Sequence, residues 1–430
     1  MEPEAQSFDS SHQRIGHFDT FALGVNGVIG SGIFFLPSVG DKLLGPAAIF
    51  STLLAGVLAW MIAGAFGVVA SDYRRNGGAY VYTRDYFGEG PGFVVGWMTW
   101  LVAVTSWGAL LNALFLALAG LAETFGHEGV KASGMAALVL LLILVNTKGL
   151  VLGARFSTVL TFLKATPLIL LAIVGLPDIQ WERFAPLSPN GWGGFADATL
   201  LILYAYVGFE SLVVPAAEIR NVDKTMPRLL PMLILSVTAL YLALQAVCIG
   251  TLDELGQRTN PIADGASLVF GGTLGAAFLW VSVVSVLGVN AGTALVTPRR
   301  LAALADEGDA PAFLAKKHPR YQTPMYAIAL TGLVALGFAL AGSFKELALL
   351  SVVARFVQYL PTCWIAFRRR EMGGRQVTMP ERSKAVIALV VSLALLGAAD
   401  VEKLLAGGVA LVILTGTYWL HARGRRNYSK

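Results

Sequence analysis

The chain has 430 residues, of which 56% are hydrophobic and only 14% are charged, and its mean hydropathy is +0.66. Soluble domains carry about 25% charged residues, so this composition excludes an ordinary soluble protein and indicates a membrane protein. The two cysteines lie in apolar runs and give no disulfide framework, and no Cys/His cluster has the spacing of a metal site. We therefore expect no metal and no cofactor.

The predicted elements are membrane-spanning helices of about 20 mostly apolar residues each. They follow a polar segment, residues 1–17, which lacks the features of a cleavable signal peptide and is predicted to be a cytoplasmic tail. The fold class is an all-α polytopic membrane protein that ends in a second cytoplasmic tail, residues 423–430. In chain order the twelve predicted spans lie near residues 18–39, 45–70, 91–121, 132–151, 156–176, 195–217, 229–250, 267–297, 324–342, 345–367, 384–400 and 403–422.

The distribution of Lys and Arg predicts the orientation of these spans. With both termini inside, the cytoplasmic side holds 24 of the 32 basic residues and the outside holds six. The net charge of +5 is therefore explained by the positive-inside rule and requires no nucleic-acid partner. We expect a multi-pass protein of the plasma (inner) membrane, whose partners are the lipid bilayer and a small molecule.

Two spans at corresponding positions are interrupted. The first contains "GVIGSGIF", residues 27–34, and the sixth contains "YAYVGFES", with Gly208 near its middle and Pro215 two turns later. Interrupted spans at matching positions of two halves indicate the binding site of a transporter. The sequence thus predicts inverted repeats over 18–176 and 195–367, with the spans in 384–422 outside the repeat.

The chemistry of such a break suits a zwitterion. A half-helix that begins there presents free N–H groups to a carboxylate, and a half-helix that ends there presents carbonyls to an ammonium group. Glycine allows the ligand to approach the backbone closely. An alternative role for Gly24, Gly27 and Gly30 is close helix packing of the small-xxx-small kind, although the second break in the sixth span favours a binding site.

Four motifs in the right order resemble the amino acid–polyamine–organocation superfamily of transporters, over nearly the whole chain. "GVNGVIGSGIFFLP" is similar to the signature of its first span, and "NGGAYVYTRDYFGEGPGFVVGW" to the loop before its third. "YAYVGFESLVVPAAEIRNVDKTMPR" resembles its sixth span and following loop, and "TPRRLAALADEGDAP" the end of its eighth. The resemblance implies the leucine-transporter fold, with a five-plus-five inverted repeat, broken helices one and six, and two further helices.

The resemblance also implies the site residues. The substrate carboxylate would be bound at Gly30, Ser31 and Gly32. The carbonyls before each break would meet the amino group, and Tyr204 would cap the site, although one branch of the superfamily has Trp there. The residues whose carbonyls would meet the amino group are Val28 and Ile29 in the first span and Tyr204, Ala205 and Val207 in the sixth. Gly208 at the second break belongs to the same predicted site. Less specific assignments bring the third and eighth spans to the site near Trp107, Asn112, Asn290 and Thr293.

Three ionisable residues lie deep within predicted spans and are functional candidates by default, because charge in a bilayer is costly. Lys164 either snorkels to the interface or, as the resemblance implies, replaces the sodium ion of coupled relatives; it would then carry a transported proton or tether two spans. Glu210 either caps a half-helix or has a proton-linked gating role. Arg355 is interpreted as a structural lock, and Glu210 is its only fully intramembrane acidic candidate partner.

The predicted function is a sodium-independent secondary transporter of amino acids that works by alternating access, coupled to protons or to exchange. Because no acidic residue other than Glu210 is expected in the side-chain pocket, neutral amino acids are favoured over the alternative of cationic amino acids or polyamines. An intramembrane enzyme is a hypothesis of a different class, but the sequence has no HExxH or GxSxG motif and no paired intramembrane aspartates. A channel is the third hypothesis.

Overall fold

The computed structural model describes residues 16–148, 151–372, 374–397, 408–409 and 411–418, and this part of the chain is almost entirely helical. Its α-helices, numbered in chain order, are α1 His17–Val28, α2 Gly32–Leu44, α3 Ala48–Ala70, α4 Ala79–Phe87, α5 Glu89–Ala119, α6 Glu128–Thr147, α7 Val151–Gly175, α8 Phe195–Leu203, α9 Val222–Thr251, α10 Pro261–Phe270, α11 Gly272–Asp306, α12 Met325–Ala341, α13 Phe344–Arg368 and α14 Met379–Gly397. Residues 411–418 are also helical.

The prediction of a helical, polytopic membrane protein is confirmed. Seven helical segments in the described ranges are long and apolar enough to cross a bilayer. The longest of them, Gly32–Ala70, has 39 residues, far more than the roughly 20 that one crossing needs. It turns back at Gly45, whose φ of 71° lies in the left-handed region, followed by a 3₁₀ turn over Gly45–Ala47. This corner separates α2 from α3.

Helix bounds agree with most predicted segments to within a few residues. For example, α5 covers Glu89–Ala119 where 91–121 was predicted, and α13 covers Phe344–Arg368 where 345–367 was predicted. α12 and α13 are separated by a two-residue turn, after which Ser343 and Glu346 cap α13 with reciprocal hydrogen bonds. Residues 1–15 of the predicted tail 1–17, the predicted tail 423–430 and half of the last predicted span, 403–422, lie outside the described residues.

Helix burial separates a central group from a peripheral one. Of the residues in the most apolar stretch of α5, 83% are buried, and the helix packs against α11, α12 and α13. Only 17% of the residues in the most apolar stretch of α6 are buried, and the helix exposes Leu140, Leu141 and Leu144. Exposed leucines in a row suit a surface that faces lipid, whereas α5 belongs to the core around the interrupted helices. A short antiparallel pair of strands, β1 Glu371–Met372 and β2 Arg375–Gln376, follows α13.

One end of the molecule carries α4, the start of α1 and the end of α11. Arg75, just before α4, pairs with Glu307 beyond α11, Arg74 pairs with Asp223 at the start of α9, and Thr225 there contacts His17 of α1. We call this end the basic face because Arg74, Arg75 and Arg84 lie there. α4 is anchored by Asp309, just beyond α11, whose carboxylate accepts hydrogen bonds from the Tyr80 hydroxyl and from Arg84 Nη1, each 2.7 Å long. Burial and the adjacent carboxylate raise the pKa of the Tyr80 hydroxyl. The hydroxyl therefore stays protonated and keeps donating.

Candidate functional site

The first break lies between α1 and α2. α1 ends at Val28 and α2 begins at Gly32, so Ile29, Gly30 and Ser31 are not helical. Among the described residues, the backbone N–H groups of Gly30 and Ser31 have no hydrogen-bond acceptor. Buried backbone groups are almost always paired, so two unpaired donors at membrane depth mark a place where a ligand or water completes the bonding.

The second break follows α8, which ends at Leu203. The chain continues as a 3₁₀ turn over Tyr204–Tyr206, then passes through Gly208 at a φ of 113° into a second 3₁₀ turn over Phe209–Ser211. No α-helix resumes before α9 at Val222, which differs from the expected pair of half-helices. The left-handed conformation at Gly208 and Pro215 shortly after it explain this, because neither is compatible with a continuous helix.

The two breaks are in direct backbone contact, and this contact explains two of the glycines. A Cβ atom added at Gly208 would lie 2.5 Å from the Gly27 carbonyl oxygen, and one added at Gly32 would lie 2.6 Å from the Ala205 Cα atom. Gly30 differs, because a Cβ there would meet Val289 at an ordinary 3.6 Å. Gly208 and Gly32 therefore serve close packing, whereas Gly30 leaves backbone surface open.

Hydrogen bonds from two further helices fix the breaks in place. The Tyr241 hydroxyl of α9 donates to the carbonyls of Val28 and Ala205, at 3.2 Å and 3.0 Å, and so joins one break to the other. The Lys164 Nζ atom of α7 donates to the carbonyls of Asn26 and Ile29, at 2.8 Å and 2.5 Å. Lys164 is 0% exposed, so the interpretation that it snorkels to the interface is wrong for this structure.

Glu210 and Arg355 form a buried ion pair beside the second break. Arg355 Nε donates to Glu210 Oε1 at 2.8 Å, while Oε2 accepts from the Gly208 N–H at 2.9 Å and from the Tyr359 hydroxyl at 3.4 Å. The pair links α13 to the 3₁₀ turn, as the lock interpretation of Arg355 requires. Glu210 thus accepts the N–H of the residue before a 3₁₀ turn, and it does not cap the start of an α-helix.

A cavity of about 930 Å³, including its open mouth, lies against both breaks. Its lining includes Leu23 on α1, Thr297 and Arg300 near the end of α11, and Thr99 near the start of α5. All of these positions lie on the basic-face side of the breaks, because α1 and α5 begin at that face and α11 ends there. The cavity therefore extends from the breaks toward the basic face.

Aromatic rings close the cavity on the other side. Tyr204 stacks edge-on against Phe344 at a centroid distance of 5.7 Å, and Phe344 meets Phe35 at the same distance. Tyr204 lines both the cavity and a separate pocket beyond these rings, which includes Arg258 and Lys345. The three rings thus separate the breaks from the face opposite the basic face.

Most predicted site residues meet at the cavity, and some do not. Those that line it are Val28, Gly30, Ser31, Gly32, Tyr204, Val207, Gly208, Glu210, Thr293 and Arg355. Of the carbonyls expected to bind the amino group, that of Ile29 already accepts hydrogen bonds from Lys164 and, at 3.3 Å, from Ser285, and Ile29 and Ala205 do not line the cavity. The Val207 carbonyl accepts no bond from the described residues.

The structure places Trp107, Asn112 and Asn290 away from the cavity. Asn112 Nδ2 donates to the Ala339 carbonyl at 2.8 Å and so joins α5 to α12, whereas Asn290 donates to the Leu110 carbonyl at 3.1 Å. The helical period explains the difference, because residues three or four apart share a face. On α5 the cavity face carries Thr99, Val102, Ala103, Ser106 and Leu110.

Sequence reasoning missed several residues that shape the site, among them Tyr241, Ser285 and Arg300. A buried tyrosine hydroxyl needs a partner, so a tyrosine within the apolar seventh span was a signal that could have been used. Arg300 was counted with the cytoplasmic residues, yet it is only 6% exposed and lines the cavity.

In the described ranges, no three His, Cys, Asp or Glu side chains are grouped as a metal site would need.

Comparison with known proteins assigns the family. The sequence profile described as "Amino acid permease" matches residues 15–371, most of the chain. The chain belongs to the amino acid permease family. Because that family is part of the amino acid–polyamine–organocation superfamily, the resemblance seen in the four motifs is confirmed, and this permease is a transporter embedded in a membrane rather than an enzyme.

Relatives of this permease are similar over most of their length. An uncharacterized transporter of Mycobacterium tuberculosis (strain ATCC 25618 / H37Rv) is 29% identical, covering 94% of this chain and 92% of its own. A methylthioribose transporter of Bacillus subtilis is 27% identical over 78% of this chain and 76% of its own. A branched-chain amino acid permease of Lactococcus lactis is 27% identical over 95% and 94%.

Proposed function

We propose that this permease is a sodium-independent secondary transporter of neutral amino acids, which binds the substrate at the two breaks. The observation that carries the proposal is that Gly30 and Ser31 line a cavity between two interrupted helices and that their N–H groups have no acceptor among the described residues. Two adjacent backbone donors suit a carboxylate. The free carbonyl of Val207, across the same cavity, is the acceptor proposed for the amino group.

The proposed topology has twelve spans, with both termini in the cytoplasm and the basic face inside the cell. The repeats would be residues 18–176 and 195–367, with the helices of 384–422 added after them. Two features support this: the breaks occur in the first helix of each half, and the basic residues concentrate at one face. On this topology the cavity faces inward, so we propose that Tyr204, Phe344 and Phe35 form the closed external gate of an alternating-access cycle.

The charges of the cavity support a neutral substrate. Among the described residues its lining has one acidic side chain, Glu210, and that carboxylate is already paired with Arg355 and hydrogen-bonded to the Gly208 N–H. A cationic side chain or a polyamine would therefore find no free carboxylate. Apolar groups such as Val102, Leu110 and Val289 line the remainder, which suits an aliphatic side chain. The Lactococcus lactis relative is named for branched-chain amino acids.

Lys164 is the basis for proposing sodium independence. Its Nζ atom already donates to the carbonyls of Asn26 and Ile29, which would otherwise be available to a bound cation. Transport would then be driven by protons or by exchange for a second amino acid. Lys164 and Glu210 are the buried groups proposed to take part in proton coupling, and an imposed pH gradient distinguishes coupling from exchange.

The test is uptake of labelled isoleucine into proteoliposomes. We expect saturable uptake that is unchanged when choline replaces sodium and is competed by neutral amino acids but not by arginine or putrescine. Methylthioribose is included as a competitor because a relative is named for it. Uptake that requires sodium would contradict the role proposed for Lys164, and a substrate-independent ion conductance would contradict transport altogether.

A matched pair of variants tests the site itself. G30L adds a side chain at the cavity wall, where a Cβ still has ordinary contact distances, so we expect a folded protein without uptake. G337L makes the same change on α12, where a Cβ has no neighbour within 4 Å, and uptake should be retained. Equal uptake by both variants would contradict a substrate site at the first break.

A further inference from the structure

Arg300 is a buried arginine whose guanidinium is incompletely bonded. It is 6% exposed, lines the cavity, and donates from Nη2 to the Ser211 Oγ atom at 3.2 Å. Its Nε atom has no acceptor, and it forms no ion pair within the described ranges. A guanidinium keeps its charge and has five donors, and an unpaired buried charge is strongly unfavourable. The guanidinium therefore needs a partner that the described residues do not supply.

The neighbouring charges indicate that this partner is an anion. In the part of the chain that the structure describes, the charged side chains of the cavity lining are Glu210, Arg300 and Arg355, which leaves one positive charge in excess. Glu210 cannot serve both arginines well, because its carboxylate is directed at Arg355 Nε, the Gly208 N–H and the Tyr359 hydroxyl. The Coulomb field at the basic-face end of the cavity thus favours a ligand with negative charge.

The position of Arg300 distinguishes it from the first break. Val289, Thr293, Val296 and Thr297 line the cavity along the same face of α11 as Arg300, and Val289 is the residue beside Gly30. Eleven residues of α-helix rise about 16 Å, and side chains lean only part of the way back toward the helix start. The backbone of Arg300 therefore lies about three helical turns from the level of Gly30, toward the basic face, and its guanidinium reaches Ser211 in the turn that follows the second break.

We propose that Arg300 and Ser211 form a second carboxylate subsite, through which the substrate passes between the breaks and the basic-face solution. The guanidinium has the geometry to bind a carboxylate with two hydrogen bonds. This subsite rests on the proposed function, because its ligand is the α-carboxylate of the transported amino acid. Substrate that enters from the basic-face solution binds this subsite before it reaches Gly30, and substrate that leaves is held there before it is released.

The test is the Michaelis constant measured separately on each face, using right-side-out and inside-out membrane vesicles and labelled isoleucine. For R300Q we expect the internal constant to rise roughly tenfold, the loss of a charged hydrogen bond, while the external constant changes less than about twofold. R300K should recover part of the loss. The matched control is R299Q, since the adjacent arginine donates to the Leu295 carbonyl and does not line the cavity.

Each outcome decides the proposal. If R300Q changes both constants equally, or neither, the subsite is absent and Arg300 is a structural counter-charge. Replacing internal chloride by gluconate separates a carboxylate subsite from one for inorganic anions. An internal constant that depends on chloride in the wild type but not in R300Q would overturn the carboxylate assignment. Failure of the wild type to transport any amino acid would instead refute the proposed function.

Discussion

Replacing Gly32 by alanine is the sharpest perturbation of the contact between the two breaks. The added Cβ would lie 2.6 Å from the Ala205 Cα atom and 2.7 Å from its Cβ atom. Carbon atoms pack best at about 3.5–4.0 Å, so the two segments must separate by roughly 1 Å. Overpacking of a buried site typically costs about 1–3 kcal/mol, and more when backbone atoms have to move, as they do here.

The assay is thermal unfolding of the purified permease in detergent, followed by tryptophan fluorescence, together with isoleucine uptake. We expect G32A to lower the unfolding temperature and to reduce uptake. G30A is the matched control two residues away, since its Cβ would have an ordinary 3.6 Å contact with Val289. Its unfolding temperature should match that of the wild type, because a substitution at an unstrained position changes the free energy of unfolding by only about 0.5 kcal/mol or less.

A second substitution tests the mechanism of the loss. A205G removes one of the two atoms that the new methyl group strikes and leaves the other, so the double variant G32A/A205G should recover part of the lost stability. If G32A and G30A unfold at the same temperature, or if A205G gives no recovery in the G32A background, the two breaks are not in the backbone contact described here.

Three further variants probe the bonds around the breaks, each by the same unfolding and uptake measurements. K164M removes the donor to the Ile29 carbonyl and should cost about 1–3 kcal/mol and most of the uptake, whereas wild-type behaviour would show that the ammonium is dispensable. E210A leaves Arg355 buried without its partner and should cost about 3–5 kcal/mol, and a loss below about 1 kcal/mol would contradict the buried ion pair. Y241F removes the hydroxyl that bridges the breaks and should cost about 1–3 kcal/mol with a reduced uptake rate, an expectation that unchanged unfolding would refute.

The positions of the helices could be predicted well because hydropathy and length are properties of short stretches. α5 and α13 are within a few residues of their predicted bounds. The interrupted helices could also be predicted, since Gly30, Gly208 and Pro215 are local signals. The 3₁₀ turns that replace the second half of the sixth span could not, because their conformation depends on how Gly208 packs against the first break.

The predicted site was most accurate where it relied on backbone breaks and least accurate where it relied on side chains of uninterrupted helices. Asn112 and Asn290 were predicted at the cavity, but each lies at a different angle around its helix from the residues that line the cavity and contacts a neighbouring helix instead. The burial of Arg300 is created by the 3₁₀ turn that carries Ser211, which is distant in the chain. The sequence around Arg300 therefore indicated only a cytoplasmic charge. Such contacts join residues far apart in the chain and leave no local pattern.

The most direct test of the account is whether binding requires a free α-carboxylate. Purified permease is heated with isoleucine, with isoleucine methyl ester and with 2-methylbutylamine, which keeps the amine and the side chain. We predict stabilisation by isoleucine alone, about 2.7 kcal/mol at a concentration 100 times the dissociation constant, and its loss in G30L. Equal stabilisation by the ester would contradict a carboxylate site at the N–H groups of Gly30 and Ser31.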